Sequence, residues 1–453
     1  MELATRPPYK AVDFEALAKQ DKEFDSIWRK SSGSLDFQNP ETTQAITQAI
    51  LKVHFGLHLQ VPDDRLCPPV PNRWNYVSWI HGLLDSTNRS YQCQYDPERR
   101  VVGLDIGTGA SAIYTMLCLK SRPNWTMCAT DVDKKSFDHA ARNLSNNGLI
   151  TRTKLLQTIE SQPLVPLRYL GVEKLDFTIC NPPFFTDEKD MRQSLNGETK
   201  SWKPNAVCTG AENEMVCQGG DLGFVTRIVE ESLVLREKVS WYTSMFGKMS
   251  SAKSIVSLLK ENGVTNWAVG SIDVGAWTKR WIVAWSFEDY RPRNVRMLLW
   301  SDTSVWYTNR KQDIARIEKI ANEYLPFPTE YRFVLPASID ANAAKHVINQ
   351  QARRLHLRWN WDTSTATGVG EAAGNVWSRT YRREHERKKR EAETSNVEGT
   401  EMQDDLDKIN VALAFRIKVL NSEREVVIDW LKGSDRILWE SFCGMVHRSF
   451  KKS

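Results

Sequence analysis

Asn181-Pro182-Pro183-Phe184 puts an amide, two proline-fixed carbonyls and an aromatic ring on four consecutive positions. The residues directly follow Leu175-Asp176-Phe177-Thr178-Ile179-Cys180, an apolar run whose pattern predicts a buried strand ended by a breaker. Consecutive prolines stop a strand ladder and keep the backbone extended. The Asn181 oxygen and the Pro182 carbonyl can then accept the hydrogens of an exocyclic amine, while Phe184 stacks on the ring that bears it. Taken alone, the same four residues also fit a proline-stiffened loop over a core Phe.

Three further stretches carry chemistry that the turn could use. Arg100 to Ser111 predicts strand, glycine turn, helix, with Asp105 at the strand end and Gly107 and Gly109 in the turn. The third glycine of a dinucleotide fingerprint is absent, which argues against a dehydrogenase. Asp105 suits a ligand ammonium better than a pyrophosphate. A second strand, Thr126–Thr130, ends at Asp131, 24 residues after Gly107, where an acid accepts from a ribose diol. Pro68-Pro69-Val70-Pro71 predicts a rigid extended segment that delivers Arg73 as a bidentate clamp for a ligand carboxylate, followed by a short helix through Leu84.

These residues need a scaffold that brings strand ends together. Helical periodicity predicts helices over 40–60, 110–120, 134–146 and 250–261, and another after Asp221, which is expected to cap it. Strands are expected near 152–157, 239–246, 264–269 and 280–287, giving seven in all with those above. Alternation of short apolar runs with helices predicts an α/β fold with a parallel sheet, whose ligands bind beyond the carboxyl ends of the strands. Residues 185–220 lack clear periodicity and read as a lid or binding loop. Lys279, Arg280 and Trp281, beside Trp277, mark the mouth of a last hairpin, where basic and aromatic groups suit a nucleic-acid backbone and a stacked base, the alternative being a snorkelling Lys over a core Trp.

Beyond residue 290 the pattern predicts a small α+β domain: a strand at 331–336, a helix at 340–354, a strand at 356–361, strands near 410–419 and 424–430, and a helix at 434–449. Residues 362–375 are rich in Gly, Ser, Thr and Ala, and 362–407 as a whole is expected to be a flexible basic loop. It includes Arg382, Arg383, Arg387, Lys388 and Lys389, which together with Arg353 fit RNA phosphates; the run also fits a nuclear-localisation signal or a solvated linker. Arg6 and Lys10 lie in an N-terminal arm of mixed charge that suits either a phosphate-binding arm or a solvated face. The expected division is an extension at 1–85, a catalytic domain at 86–292, a connector at 293–325 and the α+β domain at 326–453.

Bulk composition is permissive. Of the 453 residues, 41% are hydrophobic and 26% charged, and the net charge is only +5, so any nucleic-acid surface must come from clustering. The eight Cys include no CxxC pair, so no metal ribbon or thioredoxin site is signalled, and no metal is expected. The start of the chain lacks the apolar core of a signal peptide and no run is long enough for a membrane span, so an intracellular, reducing setting without membrane partners is expected.

Asp105-Ile106-Gly107-Thr108-Gly109-Ala110-Ser111, Ala129-Thr130-Asp131-Val132-Asp133 and Asn181-Pro182-Pro183-Phe184-Phe185 together resemble the RNA adenine-N6 methyltransferases of the methyltransferase-like-sixteen type. The resemblance runs from about residue 7 to 290, through Ser34-Leu35-Asp36-Phe37, Arg73-Trp74-Asn75-Tyr76, Gly219-Gly220-Asp221-Leu222 and Arg280 to Phe287. It implies a class I, Rossmann-like methyltransferase sheet with S-adenosyl-L-methionine as cofactor. It also implies a cofactor site at Arg73, Asp105, Gly107, Gly109, Asp131, Gln162 and Asn181, an adenine clamp at Asn181, Pro182, Pro183, Phe184 and Phe185, and RNA contacts at Lys279 and Arg280. The implied partner is structured RNA, U6 small nuclear RNA first, with a nuclear location. Ribosomal RNA, DNA adenine or protein glutamine as substrate, and a non-catalytic RNA-binding factor, are the alternatives.

Overall fold

The computed structural model describes residues 3–195, 210–273, 279–292, 324, 328–394, 410–420 and 424–450. They pack as two compact units. The first holds the described residues through Asp85, together with Gln94–Glu288 and Tyr324; the second holds Ser86–Cys93, Asp289–Pro292 and those from Pro328 onward. Trp277 and, apart from Tyr324, the connector expected over 293–325 lie outside the described residues.

The first unit is built on β1 (Val101–Ile106), β2 (Trp125–Asp131), β3 (Thr153–Gln157), β4 (Leu175–Cys180), β5 (Val239–Phe246), β6 (Asn266–Asp273) and β7 (Lys279–Ser286). They form one seven-stranded sheet in the order β3-β2-β1-β4-β5-β7-β6. The strands from β3 to β5 run parallel, and β7 is antiparallel to both of its neighbours. The expected α/β sheet of seven strands ending in a hairpin is therefore present. Alternation along β4 sends Phe177 and Ile179 into one buried cluster and Cys180 into the other, so both faces of the sheet are covered.

Helices α1 (Phe14–Gln20), α2 (Lys22–Lys30), α3 (Pro40–Ile50), α4 (Val70–Ser86), α5 (Ile113–Ser121) and α6 (Lys134–Asn146) precede β3. Leu17, Phe24, Ile50 and Phe55 share a cluster with Leu117 and Phe177, so the first 85 residues help to build this unit's core. Short helices α7 (Leu167–Leu170), α8 (Glu188–Leu195) and α9 (Glu212–Met215) are followed by α10 (Gly220–Leu235) and α11 (Met249–Glu261).

Several local expectations are corrected. The 68–71 prolines do not carry the chain in extended form to Arg73: α4 starts at Val70 and Arg73 lies in its first turn. Pro71 is tolerated there because first-turn N–H groups have no intrahelical partner. The helix expected over 40–60 ends at Ile50, passes through a π-turn at Leu51–Phe55 and is closed by Gly56 in a left-handed conformation. Asp221 does not cap α10; Gly219 occupies that position, and the Asp221 carboxylate is used elsewhere. Within 185–220 the described parts are ordered: Phe185 pairs with Val216 in a parallel bridge, while 196–209 lie outside the described residues.

The second unit is α+β as expected. Its strands β8 (Glu330–Val334), β9 (Arg358–Asp362), β10 (Thr367–Ala372), β11 (Leu413–Leu420) and β12 (Glu425–Lys432) make an antiparallel sheet in the order β8-β12-β11-β10-β9. Its helices are α12 (Ala341–Arg353), α13 (Arg379–Thr394) and α14 (Arg436–Arg448). The loop expected over 362–407 is corrected: it contains β10 and α13, and only 395–409 lie outside the described residues.

Candidate active site

Register alone brings the marked residues together. Ile106 pairs with Cys180, so the glycine turn after β1 emerges beside Asn181 after β4. Ile106 also pairs with Thr130, which sets Asp131 next in line. Helix α5 follows the turn and α4 brings Arg73 to the same end.

Asp105 is 1% exposed. Its Oδ2 accepts from Thr108 Oγ1 at 2.7 Å, Thr115 Oγ1 at 2.9 Å and the Thr115 amide at 3.3 Å. Its Oδ1 is buried with no hydrogen-bond partner. Burial raises the carboxyl to about 6, against the opposing pull of the Thr108 and Thr115 hydrogen bonds. Gly107 has φ +68°, a conformation that favours glycine, and a Cβ there would meet nothing within 4 Å. The backbone of this turn therefore faces open space beside a buried carboxylate oxygen in need of a donor.

Asp131 closes the other side of the turn. Its Oδ2 accepts from the Gly109 amide at 2.8 Å and its Oδ1 from the Asp133 amide at 2.9 Å. Burial raises this carboxyl too. Each oxygen has a second acceptor position, so the two backbone bonds orient Asp131 without exhausting it. Glu214 on α9 is a third acid at the turn, which spacing could not have found. Its Oε2 accepts from the amides of Leu66 and Ala211, both at 2.9 Å, and its Oε1 would lie 3.5 Å from a Cβ on Gly109.

Arg73 is buried and none of the described carboxylates lies within ion-pair distance of it. Its Nη1 donates to Asn181 Oδ1 at 2.8 Å, to Tyr114 Oη at 3.2 Å and to Met245 Sδ at 3.8 Å. Nε and Nη2 have no partner among the described residues. An acceptor lacking a donor on Asp105 and donors lacking an acceptor on Arg73 fit the ammonium and carboxylate of an α-amino acid. Tyr114 and Met245 were not anticipated from sequence; both lie within elements whose apolar pattern reads simply as core.

The Asn-Pro-Pro-Phe turn is held from behind. Pro182 is buried, and Asn181, Pro183, Phe184 and Phe185 are partly exposed. The Phe185 amide donates to the Met215 carbonyl, and the Cys217 amide to the Phe185 carbonyl, each at 3.0 Å. Gly247, just past β5, lies so near Phe184 that a Cβ there would stand 3.1 Å from the ring. Asp221 Oδ2 accepts from the Gly247 amide at 2.8 Å and Oδ1 from Ser251 Oγ at 2.7 Å, joining α10 to the start of α11. The Arg280 Cζ lies 5.2 Å from the Phe184 ring centroid, a cation–π contact that puts the hairpin residue at this site.

The remaining expected residues lie on other segments. The Gln162 side chain accepts from the Ile159 amide at 3.1 Å and so braces its own turn after β3. Arg6 is tied down: it donates to the His54 carbonyl and Tyr9 Oη, both at 3.1 Å, and packs over Phe55. Lys10 is exposed, and Lys279 is partly exposed at the start of β7. In the second unit Arg353 ends α12 in solvent, and Arg382, Arg383, Arg387 and Lys388 are exposed on α13; the Lys389 side chain lies outside the described residues. Among the described residues there is no cluster able to hold a metal ion, and no helix long and apolar enough to cross a membrane.

Comparison with known proteins gives this arrangement a context. A family described as RNA methyltransferase matches residues 3–289. The U6 small nuclear RNA (adenine-(43)-N(6))-methyltransferase of Schizosaccharomyces pombe is 32% identical over 93% of this chain and 96% of its own. The RNA N(6)-adenosine-methyltransferase mettl16 of Danio rerio is 29% identical over 96% of this chain and 94% of its own. Among solved structures, the hMettl16 catalytic domain in complex with MAT2A 3'UTR hairpin 1 is 32% identical, with a TM-score of 0.53, over 62% of this chain and 93% of that one.

Proposed function

The chain belongs to the RNA methyltransferase family, and from that premise we propose that it methylates N6 of an adenosine in structured RNA, U6 small nuclear RNA first, using S-adenosyl-L-methionine. One observation carries the reading: a paired acceptor and donor for an amino acid, Asp105 Oδ1 and the free nitrogens of Arg73, stand beside an Asn-Pro-Pro-Phe turn at adjoining strand ends. An RNA of that identity implies work in the nucleus.

S-adenosylmethionine, when bound, supplies a methyl group on a sulfonium, whose leaving group is a neutral thioether. The protein's task is positioning. Asp105 would hold the ammonium, Arg73 the carboxylate, and Asp131 would offer its remaining acceptor positions to the ribose hydroxyls. Gly107 and Gly109 leave room for the ligand to approach the backbone. Adenine N6 is a weak nucleophile because its lone pair is delocalised into the ring. Asn181 Oδ1 and the Pro182 carbonyl accept its two hydrogens, which favours a pyramidal nitrogen and offsets positive charge as it develops. Phe184 and Phe185 hold the extruded base by stacking, worth roughly 1–3 kcal/mol. The surplus proton leaves to water after transfer, so no strong base is required. Lys279 and Arg280 engage the flanking backbone, and the basic face of α13 adds phosphate contacts from the second unit.

The test is incubation with labelled S-adenosylmethionine and, separately, a U6-sequence hairpin RNA, a DNA of the same sequence and a peptide pool, followed by mapping of N6-methyladenosine. Label is expected on adenine N6 of the RNA, and Asn181→Ala is expected to lower transfer on the order of a hundredfold or more while S-adenosylhomocysteine still binds. Transfer to DNA or peptide in preference to RNA, or full turnover by the variant, would overturn the assignment.

A further inference from the structure

Arg73 is a buried guanidinium with no carboxylate partner among the described residues, and the group it has taken instead is the oxygen of Asn181, at 2.8 Å. That oxygen is the acceptor assigned above to the target amine. A cation donating to it draws off the electron density that a developing positive charge on N6 would need. Two of the guanidinium's three nitrogens, Nε and Nη2, remain without partners among the described residues, and across the site Asp105 Oδ1 lacks a donor. Tyr114 and Met245, the other contacts of Nη1, are neutral and hold the guanidinium in place without neutralising it.

We infer that Arg73 is a positioning residue that couples the amino-acid subsite to the base clamp: with its charge unmatched it engages Asn181 Oδ1, and when an anionic partner fills its free nitrogens that oxygen is released to the adenine amine. The inference rests on the function proposed above. A guanidinium pairs more strongly with a carboxylate, whose opposite charge and two oxygens it can meet bidentately, than with the single neutral oxygen of an amide, so the preference has a definite direction. Coupling of two sites through one residue is reciprocal, so whatever the amino-acid ligand adds to base affinity the base must add to its affinity in return.

The experiment measures binding, not turnover. The dissociation constant of a U6-sequence hairpin RNA is determined alone, with saturating S-adenosylhomocysteine, and with saturating 5′-methylthioadenosine, which keeps the nucleoside but lacks the amino-acid tail. S-adenosylhomocysteine should tighten RNA binding about fivefold or more, and methylthioadenosine should not. In Asn181→Ala, measured with the homocysteine ligand raised to a concentration that saturates the variant, its effect on RNA should vanish. Equal tightening by methylthioadenosine, tightening that persists in the variant, or no tightening in a wild-type protein that binds both ligands would overturn the coupling alone. Failure of S-adenosylhomocysteine to bind the wild type would overturn the function proposed above as well.

Discussion

Asp105 is held against its own ionisation. Burial raises its carboxyl to about 6, whereas the unfolded chain returns it to roughly 3.9. Between those values the folded protein holds a proton that the unfolded chain does not. Stability is therefore lost as pH rises through this window, by up to about 3 kcal/mol for a shift of this size, and the loss is complete near neutrality. Asp105→Asn keeps an oxygen for Thr108 and Thr115 and removes the charge. It should raise the unfolding midpoint at pH 7.5 by several degrees and change it little at pH 4, as read by circular dichroism, while abolishing S-adenosylhomocysteine binding. An equal gain at both pH values would show that ionisation is not the source. For the wild type, affinity for the same ligand should fall roughly tenfold per pH unit below about 6, because the carboxylate must first lose its proton. Sequence made Asp105, Asp131 and the Asn181 turn legible because each sits where a strand pattern stops. It could not reveal Glu214, whose backbone partner Leu66 is 148 residues away, or the contact of Arg73 with Asn181 across 108 residues.

At the level of elements, the proposed base clamp rests against a brace built from α10 and the turn between β5 and α11. Asp221 fixes the Gly247 amide, and Gly247 backs the Phe184 ring so closely that a methyl group there would stand 3.1 Å from it. Gly247→Ala would shift the ring by a few tenths of an ångström. Its expected effect is a fall in kcat/KM for RNA on the order of ten- to a hundredfold, with S-adenosylhomocysteine affinity unchanged; isothermal calorimetry alongside initial rates separates the two. Equal loss of both would mean that the substitution damages the sheet rather than the clamp. The strands of the first unit were readable because most are continuous apolar runs, as in a sheet covered on both faces. Strand β10 was not, for a physical reason. A Cβ on Gly368 would collide with the Trp359 ring, and one on Gly370 with the Phe415 ring. Those glycines are covered by aromatic neighbours from adjoining strands, so a stretch that looks flexible by composition is packed. Asp221 misled for a related reason: an acid before a helical pattern suggests a cap, but Gly219 already takes that position with φ +77°.

At the scale of the whole molecule, a net charge of +5 over 453 residues gives little general attraction to RNA, so the arrangement of charge must supply it. Helix α13 carries seven Arg and Lys against four Glu. One side is anchored: Tyr381 Oη lies 2.7 Å from His356 Nδ1, and the His385 ring packs at a tilt against His356 with centroids 4.4 Å apart. Arg382, Arg383, Arg387 and Lys388 are left on the exposed side, where the Lys388–Glu384 ion pair at 3.3 Å contributes little. This is a rigid basic face rather than a loose loop, and it suits an RNA backbone at fixed spacing. Neutralising those four residues to Gln should weaken hairpin RNA binding without touching S-adenosylhomocysteine affinity. Every phosphate that no longer meets a cation should also reduce the slope of log affinity against log salt by roughly 0.7 to 0.9. If all four residues meet phosphates, the slope falls by about 3, and the effect is the same for hairpins with and without a target adenosine. An unchanged slope would assign the run to another role, nuclear import among them, and leave RNA capture to the hairpin residues Lys279 and Arg280.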